Sequence, residues 1–155
     1  MSEALRTYLD DHHAGATFAV ELLDSLRSQK ADPELASFAN VLQREIRADV
    51  EVLQSIIAQL GEAESSLKKA LGHLAEKAMR AKFDPENARG IGTFEALETL
   101  SLGILGKRAL WRVLRQIAEA PKLDYDTLIV RAEYQFQQVE RFRLKVAQTT
   151  FSGAS

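Results

Sequence analysis

Apolar residues recur along this chain three and four positions apart, the period of an α-helix, with no strand-like alternation. The stripe Leu5, Leu9, Ala16, Ala19, Leu23 and Leu26, flanked by Tyr8, Phe18 and Leu22, predicts a first helix over 3–28. Gln29 to Ala31 makes a tight connection. After it come Asp32, a capping carboxylate, and Pro33, whose fixed φ suits the first helical position. A second helix over 33–60 carries Leu35, Phe38, Val41, Leu42, Ile46, Leu53, Ile56 and Leu60 and stops at Gly61. A shorter helix over 65–81 gathers Leu67, Leu71, Leu74 and Ala78 on one face, and the run from Phe83 to Gly92 is the most loop-like in the chain. Thr93 then reads as the cap of a helix over 93–118, and Pro121 marks the turn before a last helix over 125–150.

This pattern predicts an all-α four-helix bundle. Four helices of about 26 residues each run roughly 39 Å at 1.5 Å per residue. The connections at Lys30 and Pro121 are short, which pairs the first helix with the second and the third with the fourth, antiparallel. The stretch 62–92 is long enough to travel the length of the bundle, so the second and third helices begin at the same end. The expected architecture is therefore two antiparallel hairpins joined by a long crossover that contains the short helix.

Composition narrows the chemistry. At 155 residues the chain is expected to form a single domain, 1–155, with a core that needs no disulfide or structural metal. The absence of cysteine excludes thiolate metal sites, a cysteine nucleophile and iron–sulfur centres. A net charge of −2 gives no general attraction to nucleic acid or anionic lipid. No apolar run reaches the roughly 18 residues of a membrane span, and Met1 to Arg6 run into the amphipathic pattern without an apolar leader. The expectation is a cytoplasmic protein with no nucleic-acid and no membrane partner.

The connectivity, with local stretches such as Tyr8 to Gly15 and Gly103 to Lys107, resembles the ferritin-like superfamily and its uncharacterised bacterial members. For those members the resemblance implies a fold and no established reaction. Active members of the superfamily hold two metal ions, using a Glu from each of two helices and a Glu-x-x-His pair from each of the other two. Glu45 and Glu133 match the glutamates of such pairs, but Ala48 and Phe136 stand where the histidines belong. The histidines of this chain are His12, His13 and His73, and none falls in the second, third or fourth helix of the bundle. The resemblance thus implies a degenerate dimetal site.

Several polar residues nevertheless project into the apolar arcs at about 100° per residue. They are His12 in the first helix, Glu45 and Asp49 in the second, Lys107 in the third, and Glu133, Glu140 and Arg143 in the fourth. Counting along the helices puts His12, Asp49, Lys107 and Glu133 at one height, with Glu45 a turn away opposite Gly103 and Gly106. Buried ions must be compensated, so Asp49 is expected to pair with Lys107 and His12 to bridge Asp49 and Glu133. Arg108, Arg112 and Arg115 share one solvated face, His13 lies at a wet edge, and no phosphate loop or nucleophile–base pair is present.

The function expected from these features is that of a non-catalytic structural or interaction module without a cofactor. Apolar residues outside the main arcs (Phe18, Val20 and Leu144) point to self-association into a homo-oligomer. One alternative is a metal-binding protein or metal-dependent oxidase holding Fe, Mn or Zn with His12, Glu45, Asp49 and Glu133. A second is a small-molecule pocket around the same polar layer.

Overall fold

The structure, a computed structural model, describes residues 1–61 and 91–152. Among the described residues there are four α-helices and no strand: α1 (Glu3–Arg27), α2 (Pro33–Leu60), α3 (Ile91–Gln116) and α4 (Tyr125–Phe151). The expected crossover helix over 65–81, the loop after it and His73 lie outside the described residues.

Local chemistry sets the helix ends. Ser2 caps α1 by accepting from the Leu5 N–H at 3.2 Å, with Glu3 in the first turn and Arg27 in the last, each favourable to the helix dipole. Asp32 accepts from the Leu35 N–H at 2.9 Å, and Pro33 opens α2. Asp124 caps α4 with bonds from the Thr127 N–H at 3.0 Å and the Thr127 hydroxyl at 2.6 Å. The third helix differs from the sequence expectation. It begins at Ile91, so Thr93 is inside it and buried, and its hydroxyl accepts from Gln29 Nε2 at 2.9 Å instead of capping. It ends at Gln116, where tighter bonds from Ile117 N–H to Leu114 O (3.2 Å) and Ala120 N–H to Ile117 O (3.1 Å) close the last turn.

Each helix buries one stripe. Leu9, Leu23 and Leu26 come from α1, Leu35, Leu42 and Ile56 from α2, Leu97, Leu100 and Trp111 from α3, and Ala132, Val139 and Phe142 from α4. Fully burying one such large side chain is worth about 1.5–3 kcal/mol, so this core carries the fold. Packing is most extensive between α1 and α2 and between α3 and α4, and α1 also packs on α3. The rings of Phe38 and Phe142 stack at 4.3 Å between centroids, and Lys145 pairs with Glu34 at 2.5 Å; both contacts join α2 to α4. At the helix ends, Phe94 meets Phe151 edge-on at 5.0 Å, and Gly61 lies against Met1 and Arg6. Phe18 and Val20, expected to be free for self-association, pack against the core, and only Leu144 of that group is strongly exposed. No described helix is long and apolar enough to cross a membrane.

Candidate functional site

Ile46, Asp49 and Leu53 fall on one face of α2, which carries the Asp49 carboxylate into the core, where it is 4% exposed. Removing an ion from water costs several kcal/mol unless partners replace the solvent. Two cations do so. Lys107 of α3 donates to Asp49 Oδ2 at 2.5 Å, and Arg131 of α4 donates to Asp49 Oδ1. Lys107 also donates to Gln135 Oε1 at 2.5 Å, and Gln135 Nε2 in turn donates to Glu45 Oε2 at 3.0 Å. The buried Gln135 amide therefore links the Glu45 carboxylate to the ammonium that Asp49 holds directly. Burial pushes the Lys107 pKa down from the ordinary value; the Asp49 carboxylate opposes that shift, Arg131 adds to it and Glu45 opposes it.

A cavity of about 420 Å³ adjoins this network between α1, α2 and α3. Ile46, Leu53, Ile104, Leu110 and Trp111 supply apolar wall, while Tyr8, Asp11, His12, Asp49 and Lys107 supply polar atoms. Gly15, Gly103 and Gly106 also line it. A Cβ at Gly15 or Gly103 would meet nothing within 4 Å, and one at Gly106 would meet His12 Cε1 at 3.8 Å. The glycines leave space that other residues would fill. The indole N–H of Trp111 is buried without an acceptor among the described residues, an unmet donor on the same wall. His12 is half-buried with its ring edge-on to Tyr8 at 4.6 Å, and burial lowers its pKa below the ordinary imidazole value, against an opposing pull from Asp11.

The structure brings Glu45, Asp49 and Lys107 into one hydrogen-bonded network and places His12 on the cavity wall beside it. Glu133 stands apart. Its side chain is 39% exposed and pairs with Arg108, with Gln137 Nε2 3.4 Å away. The buried face of α4 runs through Leu128, Ala132, Gln135 and Val139, and Glu133 follows Ala132 by about 100°, which turns it outward. His12 consequently does not bridge Asp49 and Glu133, because Lys107 and Arg131 already occupy the Asp49 oxygens. Gln135 and Arg131 were missed in the sequence. Gln135 carries no charge, and Arg131 sits at the edge of the buried stripe and reaches inward along its stem. Nor is the basic face of α3 simply solvated: Arg108 pairs with Glu133 and Arg115 with Asp126. His13, expected at a wet edge, meets Gln54 at 3.0 Å.

Among the described residues no group of three or more His, Asp or Glu is placed to hold a metal ion. The donors argue the same way. Asp49 has both oxygens in bonds to cations, and an ammonium stands where a metal would need electron pairs. His12, Glu45, Asp49 and Glu133 thus do not fit the dimetal group that a ferritin-like fold implies.

A second polar cluster lies nearer the surface between α3 and α4. Arg143 donates to Glu140 through Nε at 2.7 Å and Nη2 at 2.8 Å and to Glu98 at 3.2 Å, while the buried Ser101 hydroxyl also donates to Glu140. These bonds, Arg143 first, hold the Glu140 carboxyl below its ordinary pKa.

Comparison with protein-family models, curated proteins and solved structures finds no match.

Proposed function

We propose that this protein is a ferritin-like helical bundle that binds a small molecule, without catalysis, in the cavity between α1, α2 and α3. One observation carries this reading. A cavity of about 420 Å³, inside the range of roughly 300–1,000 Å³ typical of small-molecule sites, is walled mainly by apolar side chains and meets a few fixed polar atoms. The ferritin-like topology, with two antiparallel hairpins and a long crossover, is supported by the contacts Gln29–Thr93, Phe94–Phe151 and Met1–Gly61 at the helix ends. In this reading the paired ions of Asp49, Lys107 and Arg131 take the place of the superfamily's two metals. Their charges are committed to one another, which favours a receptor over an enzyme.

The test is a thermal-shift screen of small molecules against the wild-type protein and a Gly103→Phe variant, whose ring enters space that is open beside the cavity. A ligand present at 100 times its Kd stabilises the folded state by about 2.7 kcal/mol. Compounds that raise the Tm of the wild type and leave the variant unmoved support the proposal. A screen in which no compound shifts the wild type, or every active compound shifts both proteins equally, removes it.

A further inference from the structure

The cavity restricts the kind of molecule it accepts, and charge is the first restriction. The layer beside it already balances two carboxylates, Asp49 and Glu45, against two cations, Lys107 and Arg131. A ligand carboxylate would stand next to Asp49 with no uncommitted cation inside the layer to receive it. A ligand ammonium would stand next to Lys107 with both Asp49 oxygens already engaged, and Asp11, the other carboxylate of the wall, is exposed to water. An unpaired charge in such a place costs several kcal/mol.

Hydrogen-bonding capacity is the second restriction. The Lys107 ammonium has three N–H donors, of which Asp49 and Gln135 take two. Among the described residues the Trp111 indole N–H is also without an acceptor. Of the acceptors in the layer, the Gln135 oxygen and both Asp49 oxygens are occupied, and the wall's other acceptors are the Tyr8 hydroxyl, the His12 ring and the exposed Asp11 carboxylate. The wall is thus left with donors to spare. The third restriction is surface: Ile46, Leu53, Ile104 and Leu110 reward a hydrocarbon body.

We infer that the cavity takes an uncharged, mainly apolar molecule with one hydrogen-bond acceptor, such as an ester carbonyl on an aromatic or branched body, and that this acceptor meets the Lys107 ammonium. This assignment rests on the cavity being a binding site, as proposed above.

Trp111 is the single tryptophan of the chain and lies in the cavity wall, so its fluorescence reports occupancy of this site directly. The experiment titrates the full chain with four probes sharing one phenylpropyl-type body: methyl hydrocinnamate, hydrocinnamate, phenylpropylammonium and propylbenzene. The ester is expected to bind about tenfold more tightly than each of the other three, the scale set by one hydrogen bond or one unpaired charge. Gly103→Phe is expected to abolish its signal. A charged probe binding as well as the ester overturns the uncharged class and leaves the cavity a binding site. Propylbenzene matching the ester overturns the role of Lys107 alone. If none of the four changes Trp111 emission, or if the ester signal survives Gly103→Phe, this assignment falls, and the binding function falls with it only when the thermal-shift screen also finds no compound that Gly103→Phe excludes.

Discussion

Two carboxylates of this protein each hold an arginine, and the surroundings make them different objects. Glu140 sits near the surface between α3 and α4, gripped by Arg143 three residues along the same helix, by Ser101 and, through Arg143, by Glu98. The Arg143 guanidinium also lies over the Phe94 ring at 5.6 Å. Water reaches this cluster, and its bonds clamp two neighbouring helices. Asp49 is buried, and its partners come from two other helices, with a cavity alongside. Like pairs of charges therefore serve as a surface clamp in one place and as a buried layer beside a cavity in the other. Depth decides which.

Substitutions separate the two. Asp49→Ala leaves Lys107 and Arg131 without their carboxylate in the core and is expected to cost about 3–5 kcal/mol of unfolding free energy in urea titrations. Glu140→Ala strips partners from an Arg143 that keeps Glu98 and solvent, and a loss of about 1–2 kcal/mol is expected by the same measurement. Equal losses would erase the distinction. Gly103→Ala, on the open side of the cavity, is expected to stabilise by about 0.5–1 kcal/mol, since a methyl group meets nothing there and glycine weakens a helix interior.

The smallest effect is on pH dependence, where the two regions have separate windows. His12 has its pKa lowered by burial, so the unfolded chain takes up a proton first as the pH falls below the ordinary 6.5. Stability should therefore decline between 6.5 and the lower folded value, and His12→Gln should flatten that interval. Glu140 is also held low, by Arg143 foremost, but its ordinary value is 4.5, so its contribution persists above 4.5 and is lost only in more acid solution. Urea midpoints measured across both windows test the assignment.

The helices were legible because their signals are local. Asp32 with Pro33, and the stop at Gly61, place α2 as observed. The start of α3 was not legible, since Thr93 finds its partner in Gln29, a residue 64 positions away that no local rule supplies. In the site, Asp49 and Lys107 could be matched because both project into apolar arcs at one height. Glu133 has the height and the charge of a layer residue, yet its turn of α4 faces outward and the inward position belongs to Gln135. An amide such as Gln135 carries no charge to mark it in an apolar arc, and Arg131 reaches the core along a stem that starts at the edge of its stripe. The cavity itself is a sum of missing side chains on α1 and α3, which the sequence shows only as Gly15, Gly103 and Gly106.

The sharing of Asp49 between Lys107 and Arg131 has a dynamic consequence. Sliding α2 by a single turn, 5.4 Å, against either neighbour would break its bond to the carboxylate and leave the other cation under strain. Small slips are thereby penalised, and the middle turns of α2, α3 and α4 should open together or not at all. Amide hydrogen exchange should then find the slowest protons of these three helices clustered around Asp49, Lys107 and Arg131 with one common opening free energy, close to that of global unfolding. The first turns of α1, outside this linkage, should exchange sooner.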